Sequence, residues 1–128
     1  MSNIDHNPLQ PNDLICPSNL LAECSSYRFQ ISYRGKTRNA ILIRYNGVVY
    51  AYLNQCVHMP KRLDCEQSHI FDESGKFVRC SMHGITYDPG SGLCQSEICA
   101  GRTLTALKVV EQEASIYLRD KHARLCGA

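Results

Sequence analysis

Cys56-Val57-His58 and Cys80-Ser81-Met82-His83 are the two segments whose side chains can do chemistry together. The pattern is C-x-H, then the 21 residues 59–79, then C-x-x-H. Each segment offers one thiolate and one imidazole. Such donors suit zinc, copper and iron–sulfur centres, and they do not suit calcium or magnesium, which take oxygen ligands. The order of the ligands separates the choices further. A zinc finger groups its ligands by type, cysteine with cysteine and histidine with histidine. Here each segment brings one of each, so two matching loops can grip a two-iron cluster, both thiolates on one iron and both imidazoles on the other. A structural zinc site is the simpler alternative for these four residues.

The flanking sequence must build a frame for those segments. Tyr27, Phe29, Ile31 and Tyr33 alternate with Arg28, Gln30, Ser32 and Arg34, which predicts a half-buried strand. Gly35-Lys36 is expected to turn. Asn39–Tyr45 is rich in branched and aromatic residues, Asn46-Gly47 follows, and Val48–Leu53 is a second apolar run. An Asn-Gly pair between two such runs is a strong hairpin signal. The pattern returns at Leu104–Val110, turns over Glu111-Gln112-Glu113 and ends in a last strand, Ala114–Arg119. Leu14-Ile15-Cys16 reads as a short strand stopped by Pro17, with Ser18-Asn19 capping a helical turn over residues 20–23. Residues 1–13 and 120–128 are polar and are expected to be loose tails. The chain therefore reads as all-β: one domain over residues 14–119, with a small antiparallel sandwich or barrel base and an inserted cluster-binding subdomain at about 55–100.

Composition excludes several classes. Leu, Ile, Val and Phe make up 30 of 128 residues, which is enough for a core and argues against wholesale disorder. The longest apolar stretch, Val48–Leu53, is far short of the roughly 20 residues that span a bilayer, so no membrane anchor is expected. The net charge is +2 with the two signs interspersed, which argues against nucleic-acid binding. The N-terminus lacks a basic start followed by an apolar run, so a cytoplasmic location is expected. In that compartment the eight cysteines are better read as metal ligands or thiols than as a disulfide framework.

The second segment continues C-S-M-H-G-I-T-Y-D-P-G-S-G-L-C, and Cys99-Ala100-Gly101-Arg102-Thr103-Leu104 follows. With the two ligand pairs, Gly84, Tyr87 and Gly92, these stretches resemble small soluble Rieske-type [2Fe-2S] ferredoxins over most of the chain. The resemblance implies the Rieske iron–sulfur protein fold. It also implies one [2Fe-2S] cluster, held by Cys56, His58, Cys80 and His83. Two departures stand out. Pro60 takes the place of a usual Gly after the first His, and Glu97-Ile98 takes the place of a frequent Gly-Pro. Neither removes a ligand.

The implied ligand set has redox consequences. Two ferric ions, two sulfides and two thiolates sum to a neutral oxidised centre, whereas four thiolates would leave it at −2. An added electron is therefore easier to hold, and such centres lie at about −150 to +300 mV. Hydrogen bonds to sulfur stabilise the reduced form. High-potential relatives place Ser where this chain has Ile85, and a family tyrosine that donates to a ligand sulfur matches Tyr87. The disulfide between ligand loops in respiratory members would need cysteines at Lys61 and Met82. A potential in the lower half of the range is expected.

The function implied is one-electron transfer between a reductase and an oxygenase or other oxidoreductase, through transient docking of a monomer guided by Lys61, Arg62, Asp64 and Glu66. The chain has no dinucleotide-binding G-x-G-x-x-G, and its length leaves no room for a second, mononuclear iron domain, so it is not expected to be an enzyme by itself. A nitrite-reductase small subunit and a redox-sensing module are the alternatives. Cys16, Cys24, Cys65 and Cys126 are expected to be buried or frayed thiols, and Cys94 and Cys99 free thiols. His69 is expected at the surface, and His6 and His122 in inert tails. Tyr33, Tyr45, Tyr50 and Tyr52 are expected to pack on the sheet, and Gly84, Gly90 and Gly92 to serve tight turns.

Overall fold

The computed structural model describes residues 13–55, 63, 70–80 and 85–126. Among them the strands are β1 (Leu14–Pro17), β2 (Ser26–Tyr33), β3 (Lys36–Tyr45), β4 (Val48–Leu53), β5 (Val78–Arg79), β6 (Thr86–Tyr87), β7 (Ala106–Leu107), β8 (Val109–Gln112), β9 (Ser115–Leu118) and β10 (Ala123–Leu125). They form a five-stranded sheet in the order β10-β2-β3-β4-β7, a three-stranded sheet β1-β9-β8 and a small hairpin β5-β6. Every pairing is antiparallel. The architecture is the all-β frame with an insertion that the sequence leads one to expect. No helix among the described residues is long and apolar enough to cross a membrane.

The central strands show why the frame can carry a site. Successive strand residues point to opposite faces. On β3, Ala40 and Leu42 pack with Ile31, Ile116 and Leu118 in the core between the two large sheets. Ile41 and Ile43 face the other way, into a second core with Tyr52, Leu63, Val78, Cys80 and Tyr87. β3 is thus apolar on both faces, which is why its run is continuous. On β2, Tyr27, Phe29, Ile31 and Tyr33 all serve the first core, so this strand alternates.

Turn chemistry fixes the registers. Asn46 and Gly47 have φ of 53° and 79°, so both central residues of the β3–β4 hairpin are left-handed, as a type I′ turn requires. Arg34 and Gly35, at 50° and 85°, turn β2 into β3 in the same way. This turn therefore precedes the expected Gly35-Lys36 by one residue, and β3 starts at Lys36.

Four other expectations are corrected. The helical turn is 3₁₀ and covers Ser18–Leu20, directly after Pro17, with no side-chain cap. The run Leu104–Val110 is not one strand. It divides into β7, which pairs with β4, and β8, which pairs with β9, because the chain crosses there from one sheet to the other. The turn before β9 is Glu113-Ala114, since Glu111 and Gln112 remain in the ladder opposite Ile116 and Ser115. Residues 123–125 are no frayed tail: β10 pairs with β2, and Ala123 enters the first core.

Candidate metal centre

The insertion leaves the frame at the end of β4. Leu53 N–H donates to Thr105 O at 2.9 Å, and Asn54 N–H donates to Asn39 O at 2.9 Å. Asn54 is 3% exposed. A buried amide is costly unless its polar atoms are paired, and Asn54 Oδ1 accepts from Leu63 N–H at 2.8 Å. One side chain therefore ties together the ends of the segment that contains Cys56 and His58.

The second segment has a comparable base. β5 and β6 pair Val78 with Tyr87 and Arg79 with Thr86. Cys80 N–H then donates to Ile85 O at 2.7 Å, which closes the hairpin on either side of residues 81–84. Behind it, Arg79 N–H donates to Ile70 O at 2.6 Å and Phe71 bridges Val78. Cys80 is fully buried, in the same core as Leu63, Ile70, Ile85 and Tyr87. The bases of both segments thus meet in one apolar cluster on β3 and β4.

A third stretch supports the second from outside. After Tyr87, residues 88–92 form a tight turn. Gly92 N–H donates to Asp88 O at 2.7 Å, and Asp88 Oδ2 accepts from Ser91 N–H and Oγ–H, both at 2.9 Å. Tyr52, on β4, donates its hydroxyl to Pro89 O at 2.7 Å. Burial, with Asp88 and Tyr50 nearby, raises its phenol well above the usual range, so it stays a donor. Gly92 has φ +75°, and a Cβ there would lie 2.9 Å from Tyr52 Cε1. Only glycine lets the turn sit this close to the ring. Cys94 then bridges Tyr87, and Gln95 N–H donates to Thr86 O at 2.8 Å, so the returning chain lines β6.

Cys94 and Cys99 are joined in a disulfide, contrary to the expected free thiols. The 3₁₀ turn Glu97–Cys99 folds the chain back until the two Cα atoms are 5.9 Å apart, within the reach of a bridge. Cys16, Cys24, Cys80 and Cys126 lie outside any disulfide. Cys16 is buried, which pushes its thiol up, and Cys24 and Cys126 are exposed.

Of the expected ligands and their neighbours, Cys80, Ile85 and Tyr87 come together in the second core. Cys56, His58, His83 and Gly84 lie outside the described residues, as do Lys61, Arg62, Asp64, Glu66, Cys65, His6 and His69. Tyr52, Tyr45 and Tyr50 pack as expected, with Tyr45 stacked on Phe71. Tyr33 lies on the first core with its ring edge-on to His122. Sequence reasoning missed Asn54, although a polar residue directly after an apolar strand and two before a cysteine was a usable signal. It also missed the bond from Tyr52, which no local pattern marks.

The chemistry of the donor set fits a metal cluster. An anionic sulfur among apolar side chains is costly unless a cation lies on it, and Cys80 has such surroundings. A buried cysteine of this kind, on an insertion of an antiparallel β-sandwich, suits a metal-cluster-binding β-domain.

The chain belongs to the Rieske [2Fe-2S] domain family, which it matches over residues 14–121. Its cofactor is one Rieske-type [2Fe-2S] cluster. No curated protein matches the chain in sequence. Among solved structures it is similar to the ferredoxin of carbazole 1,9a-dioxygenase from Nocardioides aromaticivorans IC177, with 21% identity and a TM-score of 0.67 over 84% of this chain and 96% of that one. It is also similar to the terminal oxygenase of carbazole 1,9a-dioxygenase from Novosphingobium sp. KA1, with 23% identity and a TM-score of 0.67 over 85% of this chain. There it spans only 30% of the relative's length. A further match is to a complex of reduced oxygenase and oxidized ferredoxin in carbazole 1,9a-dioxygenase, with 19% identity and a TM-score of 0.65 over 82% of this chain and 89% of that one.

Proposed function

We propose that this Rieske domain is a one-electron carrier, taking electrons from a reductase and passing them to an oxygenase or another oxidoreductase. Cys56 and Cys80 would hold one iron, and His58 and His83 the other. The cluster supplies a site for one electron at a potential above that of all-cysteine centres. The chain's own residues anchor and tune. Asn54 fixes the base of the first ligand segment, and the Cys80–Ile85 bond fixes the base of the second. Tyr87 would donate to a ligand sulfur, and Ile85 offers no donor where high-potential relatives have one. Catalysis belongs to the partner, which is met transiently by a monomer in the cytoplasm, with Lys61, Arg62, Asp64 and Glu66 guiding the encounter.

The observation that carries this reading is the meeting of the two loop bases in one buried cluster around Cys80. Protein purified without oxygen tests it. Two irons and two acid-labile sulfides per chain are expected, with a reduced EPR signal and reoxidation by an oxygenase at turnover rates. A single zinc without sulfide, or a cluster that exchanges no electrons with a reductase or an oxygenase, would overturn it.

A further inference from the structure

We propose that the Cys94–Cys99 disulfide is a redox-sensitive clip that sets how firmly the cluster-binding unit holds its cluster. The inference rests on the two-iron reading above and adds a device to it. The two sulfurs lie in the second core, where Cys94 and Cys99 are 5% and 2% exposed. They share that core with Cys80, Ile85 and Tyr87.

The segment that the clip closes runs along β6 of the ligand hairpin. Cys94 bridges Tyr87, Gln95 N–H donates to Thr86 O at 2.8 Å, and Thr86 N–H donates to Ser96 Oγ at 3.4 Å. Ser96 N–H in turn donates to Cys94 Sγ at 3.3 Å. Residues 94–96 therefore act as the outer partner of β6, a strand of only two residues. Beyond Ser96 the chain enters the 3₁₀ turn Glu97–Cys99, whose Ile98 is 63% exposed, and returns at Arg102, whose carbonyl accepts from Cys94 N–H at 2.8 Å. The disulfide closes this turn back onto Cys94. Without it, residues 95–101 would be closed only by the Cys94–Arg102 backbone bond and the short bonds of the turn, with Ile98 exposed at the tip. The hairpin that closes through Cys80 and Ile85 would then rest on a looser lateral partner.

Opening the clip is a two-electron step. A dithiol donor is oxidised to its own disulfide, the Cys94–Cys99 bond breaks, and each cysteine sulfur takes a proton. Burial of both sulfurs makes the step slow in the folded protein, so the clip responds to sustained reducing conditions and not to brief ones.

The test uses holo-protein prepared without oxygen. Acid quenching, alkylation without reduction and peptide mapping are expected to leave Cys94 and Cys99 linked, with Cys24 and Cys126 alkylated. Cluster loss is then followed by the decay of visible absorbance in the presence of an iron chelator. Dithiol-treated wild type and the double variant Cys94→Ser/Cys99→Ser are both expected to lose the cluster about tenfold faster than untreated wild type. The dithiol should add nothing to the double variant, and Cys24→Ser should behave as wild type. If the double variant does not fold, the dithiol arm on wild type decides. Alkylated Cys94 and Cys99 in untreated protein would overturn the proposal, and so would equal loss rates in coloured protein. Wild type that contains neither iron nor sulfide would overturn the two-iron reading and the clip with it.

Discussion

The two faces of the five-stranded sheet carry regions built in different ways. On one face lies the three-stranded sheet, held by antiparallel ladders, and a core of Leu21, Ile31, Leu42, Ile116 and Leu118 fills the gap. On the other face the longest strands among the described residues have two residues, and single bonds tie the structure together: Asn54 to Leu63, Cys80 to Ile85, Tyr52 to Pro89 and Cys94 to Cys99. A ladder spreads a lost contact over many neighbours. A unit held by discrete ties opens locally when one of them fails, at a free energy below that of global unfolding. The difference teaches that stability and site geometry are separately addressable here, although β3 serves both.

The strongest way to test that separation is to cut β3 on each face in turn. Leu42→Ala and Ile43→Ala should each cost about 2–5 kcal/mol, since both side chains are fully buried. Denaturant midpoints should fall for both. Amide exchange at Val78 and Tyr87 should speed up more in Ile43→Ala than in Leu42→Ala, and equal protection would show that the two cores act as one.

The supporting turn offers a smaller cut. Gly92→Ala should cost about 1–3 kcal/mol, from its left-handed φ and from the approach of its new Cβ to Tyr52. Tyr52→Phe should cost about 1–3 kcal/mol by leaving the Pro89 carbonyl without its donor. Both losses should appear as faster exchange in residues 86–94 with little change in β2 or β10. A uniform loss across the chain would argue that the turn belongs to the base.

Two substitutions should change the redox behaviour more than the stability. Tyr87→Phe is expected to lower the reduction potential, and Ile85→Ser to raise it, as read by redox titration of the folded holo-protein. Neither shifting would remove the assigned tuning roles.

The smallest effect should come from the base. Arg44 and Glu111 form a bidentate pair, with contacts of 3.1 and 2.7 Å, and the guanidinium lowers the Glu111 carboxyl below its ordinary value. Because the folded value is the depressed one, the pair stabilises above the ordinary carboxylate pKa of about 4.5 and fades as pH falls through the folded value. The pair is partly solvated, so Glu111→Gln should cost no more than about 1 kcal/mol at pH 7. Its thermal midpoint should converge with that of wild type in acid. A gap that persists at low pH would assign the effect to packing.

Much of this was legible from residue patterns, and the limits have physical reasons. Alternation on β2 and the Asn46-Gly47 pair report local geometry, so the central hairpins were readable. Glu113-Ala114 was not, because no glycine marks its left-handed backbone and the ladder alone decides where the turn falls. β10 was missed because its partner, β2, lies some 90 residues earlier, and pairing at that range leaves no local period. At the site, the Cys and His spacing named the chemistry. Asn54 and Tyr52 act through single tertiary bonds, and the reducing-compartment argument pointed away from the disulfide that Cys94 and Cys99 form.

The hydrogen bond between Leu53 and Thr105 has a consequence for how such proteins can change. The whole intervening stretch departs from one strand and returns to the next, β4 to β7, through a doorway a single peptide wide. What lies beyond that doorway can lengthen or shorten as long as it still covers Ile41, Ile43 and Tyr52, which the scaffold presents to it. The insertion is therefore a cassette with a fixed footprint: a graft into another host would have to carry the matching face of β3 and β4 with it.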